Sequence, residues 1–504
     1  MAFIKSFKSQ NWLLPPRIED MIPKDHVCFL AESLVESLDF SFFMKKYAGV
    51  GHPAYHPRIL LKILVMGILD KVRSSRMLAK NARENIIYIY LSEKLSPDFR
   101  TISDFRKNNP ELLKIVFKHT LILAKEEGAL DLSHLSTDGS KVKANASNKK
   151  VLTKQELDIL DTFINNELEE WTKQDQIEDK KFENLRGFDQ LPNSSKKRIK
   201  ATVKRYIKET KCLGIEFKQT INEKINDAKK ELKDKNLEKI SLTDGDSRFM
   251  KNKKGKIELS YNVQITVGKN GIILANDVCQ DPNDLYQLQP QVNMTEENLG
   301  TLPNVPWSFD KGFYESGNIK FLSDKKINGY IPDNLNKTDN PFDKKHFIYD
   351  AEKDAFTCPT NNSLTFTGEQ FDKSKKKRVR LYKGQSCKTC LCQQNCTKSK
   401  KGIRRIKVFP FEKERKAMDD KIKTQNAKET YKLRAETVEP VFGDIKENKG
   451  FRAFLTRHLE TVKNEFNLVC AASNLRRIYT ILQKRSKLKL SSGTIFVAAN
   501  DLCI

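Results

Sequence analysis

Three acidic residues stand in company that suits phosphodiester chemistry. Asp138 lies in Ser136-Thr-Asp-Gly-Ser-Lys141, Asp310 in Trp307-Ser-Phe-Asp-Lys-Gly-Phe-Tyr314, and Glu439 in Tyr431-Lys-Leu-Arg434-Ala-Glu-Thr-Val-Glu439-Pro-Val-Phe-Gly-Asp-Ile-Lys446. Phosphoryl transfer with two divalent ions, about 3.5 to 4 Å apart, needs carboxylates converging from separate elements while positions stay open for the attacking and leaving oxygens. Oxygen ligands favour magnesium or manganese, so no histidine or cysteine is required. The three acids therefore point to a metal-dependent enzyme acting on DNA. Each also has a plain explanation. Asp138-Gly139 is a strong hairpin-turn pair, Asp310 before Lys311-Gly312 suits a strand-end turn, and a glutamate on a helix is most often solvated.

The elements that must carry these residues are legible from periodicity. Val438, Val441, Phe442 and Ile445 recur at helical spacing, which predicts a helix with an apolar stripe and with Glu439 and Lys446 on one flank. Strands are expected over Leu135 to Val142, Val305 to Phe309 and Tyr330-Ile331, and a hairpin over Ile257 to Val278 that turns at Gly268 to Gly271. Helices fit after Asp284 and around Gly317 to Lys325, so the middle of the chain reads as mixed α/β. Ahead of it, Arg58 to Leu69 is apolar nearly all round after Pro57, a buried helix. Ser75 to Arg83, Ile86 to Leu91 and Thr101 to Asn108 follow as short helices, with Arg100, Arg106 and Lys107 around the last. A basic final helix permits a helix-turn-helix reader and equally a plain bundle. Val151 to Lys239 is dense in charge, with sparse apolar residues Leu157, Leu160, Phe163, Leu168 and Trp171, and reads as long exposed helices broken near Pro192.

Lys and Arg number 91 against 65 Asp and Glu among 504 residues, a net charge of +26. That excess draws the protein to a polyanion, with nucleic acid ahead of an anionic membrane. No run approaches the roughly 18 to 20 apolar residues of a membrane span, and the first residues lack a secretory pattern, so a cytoplasmic location is expected. Ten cysteines are irregularly spaced and five fall between Cys358 and Cys396, unlike a secreted disulfide framework. Cys358, Cys387, Cys390 and Cys396 have spacing that a small zinc site would accept, with reduced thiols the alternative. Basic runs at Lys375 to Arg380 and Lys398 to Lys407 flank this cluster.

In order and type these motifs resemble the DDE transposases of bacterial insertion sequences, in the subgroup with a Tyr-Arg-Glu-Lys signature. The resemblance runs through Leu13-Leu-Pro-Pro16, Ile22-Pro, Pro53-Ala-Tyr-His-Pro57 and Ser96-Pro-Asp-Phe-Arg-Thr-Ile-Ser-Asp-Phe-Arg106, then Thr137 to Asn145, Tyr261-Asn-Val-Gln-Ile265, Phe309 to Tyr314 and the Tyr431 to Lys446 stretch. It implies that Asp138, Asp310 and Glu439 hold two magnesium or manganese ions, and that Tyr431, Arg434 and Lys446 contact DNA near the cut. Four residues separate Arg434 from Glu439, one more than in the common signature, which leaves Glu436 as the lesser alternative. Arg457 through Arg477 resembles the family's closing helices, with His458 where glycine is usual.

The expected fold is α/β: a ribonuclease-H-like mixed sheet at 129–150 and 240–480, a helical DNA-binding domain at 1–128, a charged helical insertion at 151–239, a cysteine-bearing insertion at 345–408 and a tail at 481–504. The implied partners are double-stranded DNA, as element ends and target, and at least a second copy of the chain. An inactive DNA-binding regulator derived from such an element is the alternative, and a basic RNA-binding protein has only charge in its favour.

Overall fold

The computed structural model describes residues 16–44, 54–173, 182, 185–213, 215–252, 255–333, 340–350, 352–372 and 377–491. Leu13 to Pro15 and Pro53 of the N-terminal motifs, Lys375 and Lys376 of one basic run, parts of the charged insertion and residues 492–504 of the tail lie outside them. Two compact units emerge: Met1–Asp131, Gly139–Pro282 and Glu439–Ile504 form one, and Leu132–Asp138 and Asn283–Val438 the other.

The first unit opens with helices α1 (Val27–Glu36), α2 (Ser41–Met44), α3 (Pro57–Leu69), α4 (Ser75–Glu84), α5 (Ile86–Leu91), α6 (Phe99–Asn108) and α7 (Pro110–Glu126). Proline starts α3 and α7, where its missing N–H costs nothing. Every residue of α3 except Arg58 is buried, as its continuous apolar run requires. Lys62 within it is kept charged by Glu32, Glu36 and Glu93, at 3.2, 2.5 and 3.4 Å. The last helix, α17 (Leu459–Ser491), packs on α1, α3, α6 and α7 and is the spine of this unit. Each large apolar side chain it buries, such as Val462, Phe466 and Leu475, contributes about 1.5–3 kcal/mol.

Strand β1 (Leu135–Lys143) leads into the insertion, whose two ends are joined by β2 (Val151–Thr153) and β3 (Lys239–Ser241) pairing antiparallel. Between them run α8 (Lys154–Asn166), α9 (Leu168–Thr172), α10 (Asn193–Leu213) and α11 (Ile215–Asp234). The expected break near Pro192 is present, but the helices are not merely exposed. Leu157, Leu160, Phe163, Leu168 and Trp171 are buried in a core that also takes Phe182, Phe188 and Ile225. Charge density hid four amphipathic helices that bury one stripe each against the others.

Strands β4 (Arg248–Lys251), β5 (Ile257–Gly268) and β6 (Ile273–Cys279) complete the unit. The first part of β5 pairs antiparallel with β4 and the rest with β6. Their hairpin turns at Gly271, whose φ of 84° suits glycine. Asn474 of α17 clamps this hairpin: its Oδ1 accepts from Ile273 N–H at 2.7 Å, and its Nδ2 donates to Ile273 O at 2.9 Å and Thr120 Oγ1 at 3.0 Å.

The second unit holds α12 (Leu288–Leu299), β7 (Trp307–Phe309), α13 (Ser316–Asp324) and β8 (Gly329–Tyr330). A separate antiparallel sheet follows, ordered β13-β12-β11-β10-β9, from β9 (Ile348–Asp350), β10 (Ala355–Thr357), β11 (Ser363–Asp372), β12 (Lys377–Gly384) and β13 (Arg405–Val408), with the short α14 (Gln393–Cys396) before its last strand. Helices α15 (Glu412–Lys423) and α16 (Gln425–Gly443) close the unit.

Within the second unit the start of β1 runs parallel beside β7, and β7 runs parallel beside β8. The fold is mixed α/β, consistent with a ribonuclease-H-like core behind a helical N-terminal region. Among the described residues no helix is long and apolar enough to cross a membrane.

Candidate active site

In the second unit, β1 and β7 run parallel with Leu135 opposite Trp307, Ser136 opposite Ser308 and Thr137 opposite Phe309. The next residue on each strand is an aspartate, so the register carries Asp138 and Asp310 abreast. Asp138 is not in a hairpin turn: β1 continues unbroken through Gly139 to Lys143, which removes the turn explanation of the Asp-Gly pair. Asp310 does precede a short 3₁₀ turn over Lys311–Phe313, yet its side chain caps nothing there.

Arg434 of α16 meets both acids. Its Nη2 lies 2.8 Å from Asp138 Oδ2 and 3.8 Å from Asp310 Oδ1, with the Arg434 and Asp138 side chains 11% and 13% exposed. The helix is fixed in place one turn later, where Thr437 Oγ1 shares a 2.6 Å hydrogen bond with Ser136 Oγ of β1. From the other strand, Trp307 Nε1 donates to Thr137 Oγ1 at 2.8 Å. Two oxygen-donor carboxylates that share a cation are a donor set that a hard divalent ion fits. Thr437 and Ser136 escaped the sequence reading because hydroxyls carry no spacing signal.

The expected helical stripe is present, with Val438, Phe442 and Ile445 buried. Glu439, the first residue of the other unit, is exposed, as is Glu436. Five residues beyond Arg434, Glu439 stands about 140° around an ideal helix from it, so the helix alone does not bring the two together. Pro440 interrupts α16, and the chain passes into a π-helical turn over Asp444–Asn448. That turn carries Lys446, whose Nζ donates to Ser140 Oγ at 2.5 Å and Lys141 O at 3.3 Å, two and three residues beyond Asp138 on β1. Tyr431, half-buried, sits one helical turn before Arg434.

The basic residues around α6 divide. Arg100 and Lys107 are exposed, whereas Arg106 is buried, donating from Nη1 to Arg73 O at 3.1 Å and from Nη2 to Ser75 Oγ at 3.2 Å. Arg106 thus braces the start of α4 and does not face solvent. Cys358, Cys387, Cys390 and Cys396 all line one small cavity at the edge of the β9–β13 sheet.

One acidic cluster was not anticipated. Ligand atoms of Asp244, Asp246 and His458 lie within 4.8 Å of one another in the first unit. Their hydrogen bonds show one role. Asp244 Oδ1 accepts from Tyr261 Oη at 2.7 Å and His458 N–H at 3.1 Å, and Asp246 Oδ2 accepts from Leu459 N–H at 3.0 Å. These carboxylates cap the start of α17, where free N–H groups and the helix dipole favour negative charge. Burial raises the Asp244 carboxyl above the usual range, against the lowering by Tyr261 and His458. His458 has φ 67°, the left-handed conformation that glycine adopts freely, in keeping with its place where glycine is usual.

Comparison with known families locates two domains. Residues 16–108, which hold α1 through α6, match the Transposase domain (DUF772), and residues 357–479 match the Transposase DDE domain. The second match spans Tyr431, Arg434, Glu439 and Lys446 together with all four cysteines of the cavity. No curated protein matches the sequence. A transposase domain on the N-terminal helices and a DDE domain through α16 and most of α17, behind a sheet that aligns Asp138 with Asp310, place the chain in its family: it belongs to the DDE transposases of insertion-sequence type, enzymes of nucleotidyl-transferase type.

Proposed function

We propose that this transposase binds the ends of its own insertion element as double-stranded DNA, cuts a strand at each end, and joins the freed 3′ hydroxyl to target DNA. The observation that supports this most is the meeting of Asp138 and Asp310 at one cation, Arg434, from adjacent parallel strands. In this reading Asp138, Asp310 and Glu439 hold two magnesium or manganese ions, which when bound supply Lewis-acid activation of the attacking hydroxyl and offset charge on the leaving oxygen. Arg434 exchanges its carboxylate partners for a phosphate, for which its planar fork is suited, and Lys446 offers a point charge beside β1. Tyr431 orients the DNA end, while Arg100 and Lys107 contact backbone phosphates away from the cut. Catalysis then rests on positioning and charge, with no covalent protein intermediate. Two ends must be joined, so the working form is at least a dimer on DNA in the cytoplasm.

The test is magnesium-dependent cleavage of labelled linear DNA carrying the ends of the flanking element, with Asp310→Asn as control. End-specific cutting lost in the variant is expected. Retention of wild-type cutting by Asp310→Asn removes that residue from the site. End binding without cutting, with paired ends and either magnesium or manganese, overturns the enzymatic reading.

A further inference from the structure

The β9–β13 sheet is thinly supported from within. Phe347, Phe356, Leu364, Tyr382 and Ile406 form its one buried cluster among the described residues, with Cys358, Cys396 and Val408 packed against them, and Ala355, Val379 and Leu381 are its other buried apolar residues. So little apolar burial rarely holds a small sheet unaided, and disulfides or a structural metal commonly supply the difference. The cysteines here are free thiols.

Four of them come from three separate places to one cavity of about 20 Å³. Cys358 leaves the end of β10 in a turn where Asn362 N–H donates to its Sγ at 3.3 Å. Cys387 and Cys390 are linked by a tight turn, Cys390 N–H donating to Cys387 O at 3.3 Å. Cys396 ends α14, and Arg404 Nη1 donates to its carbonyl at 3.0 Å. Glycine at 384 is what lets the Cys387 sulfur in, since a Cβ there would collide with Sγ. Cys392, the fifth cysteine of the segment, is not among the lining residues.

We propose that Cys358, Cys387, Cys390 and Cys396 bind one structural zinc ion, which staples β10, the turn after β12 and α14 together. Among the described residues no three of these sulfurs yet lie within 4.8 Å of one another. Thr360 Oγ1 stands between two of them, 3.0 Å from Cys358 Sγ and 3.9 Å from Cys390 Sγ. Loading turns that hydroxyl aside and draws the sulfurs to about 2.3 Å from the metal. Each thiol gives up its proton to solvent as it ligates, and Arg404 with the exposed Lys398, Lys400 and Lys401 offsets the negative charge of the tetrathiolate. The zinc is independent of the catalytic ions and is retained when Asp310 is changed to Asn.

The test is metal analysis of the full-length protein purified under reducing conditions, followed by chelation and titration with cobalt(II). About one zinc per chain is expected in the wild type, in Cys392→Ser and in Asp310→Asn, with the charge-transfer and visible bands of tetrahedral cobalt–thiolate on titration. Cys396→Ser and the Cys387→Ser/Cys390→Ser double variant should lose the metal. Loss of folding in those variants leaves the matter to the wild-type and Cys392→Ser titrations, which decide it alone. A wild type that neither retains zinc nor develops the cobalt–thiolate bands overturns the site, and loss of metal in Cys392→Ser overturns this choice of ligands.

Discussion

Arg434 Nη2 lies 2.8 Å from Asp138 Oδ2 and 3.8 Å from Asp310 Oδ1, so one guanidinium is shared by two carboxylates that the β1–β7 register places side by side. Like charges at such spacing repel unless a cation stands near them. The guanidinium offsets part of that repulsion, and a divalent ion bound by the same acids would release Arg434 toward a phosphate.

Arg434→Ala should lower stability by about 3 kcal/mol, because it removes a close cation from a largely buried carboxylate. Part of the loss should return when magnesium is added, since the ion takes the place of the lost cation. Cleavage should fall by roughly 10³-fold, as on removal of an arginine that stabilises a transferring phosphoryl group. Arg434→Lys, which keeps the charge and loses the fork, should fall between. Thermal melts with and without magnesium, read beside single-turnover cleavage, check this; melting and cutting like the wild type would sink it.

Glu439→Gln should abolish cutting while leaving end binding and stability intact, and Glu436→Gln should change none of the three. Both glutamates are exposed, so each substitution should move stability by no more than about 0.5 kcal/mol. Loss of cutting in a stably folded variant then reports on chemistry. If Glu436→Gln proves the inactive one, the third acid is reassigned.

Local patterns in the sequence carried the elements, and long-range register carried the meanings that sequence could not give. The β1, β7 and α3 segments were legible because alternation or an unbroken apolar run leaves little choice of element. Whether Asp138-Gly139 turned or continued was undecidable locally, since the answer lies in pairing with residues about 170 positions away. Arg106 read as a solvent-facing cation because helical periodicity locates a face and not what packs on it; its partners Arg73 and Ser75 are on another segment. The core of the insertion was hidden by charge, although the residues that build it were visible at helical spacing. Asp244 and Asp246 drew no reading at all, because the helix they cap begins more than 200 residues later.

His458→Gly should leave melting unchanged or raise it slightly. A histidine held at φ 67° pays about 1 kcal/mol that glycine does not, partly offset by the greater freedom of glycine in the unfolded chain. The caps from Asp244 and Asp246 use the backbone N–H groups of His458 and Leu459, so they survive the change. A loss of more than about 1 kcal/mol by denaturant titration, well above that strain, would show instead that the imidazole itself, 4.0 Å from Asp246, holds the segment.

Lys421 gives the second unit a pH dependence in the alkaline range. Its Nζ donates to Asn328 Oδ1 at 2.7 Å and Gly329 O at 2.8 Å, over the Tyr330 ring at 3.9 Å. No carboxylate pairs with it in these contacts, and burial pushes its pKa down to about 8 from 10.5. Between those values the unfolded chain binds the proton and the folded one does not, so stability rises with pH across this window. Below pH 8 the folded state must hold a partly buried ammonium, and stability is correspondingly lower there. Lys421→Met, which fills similar space without the charge, should abolish this rise. Denaturant titrations of both proteins from pH 7 to pH 10.5 decide it: equal slopes would mean that the two oxygen acceptors and the Tyr330 ring hold the ammonium as well as water does.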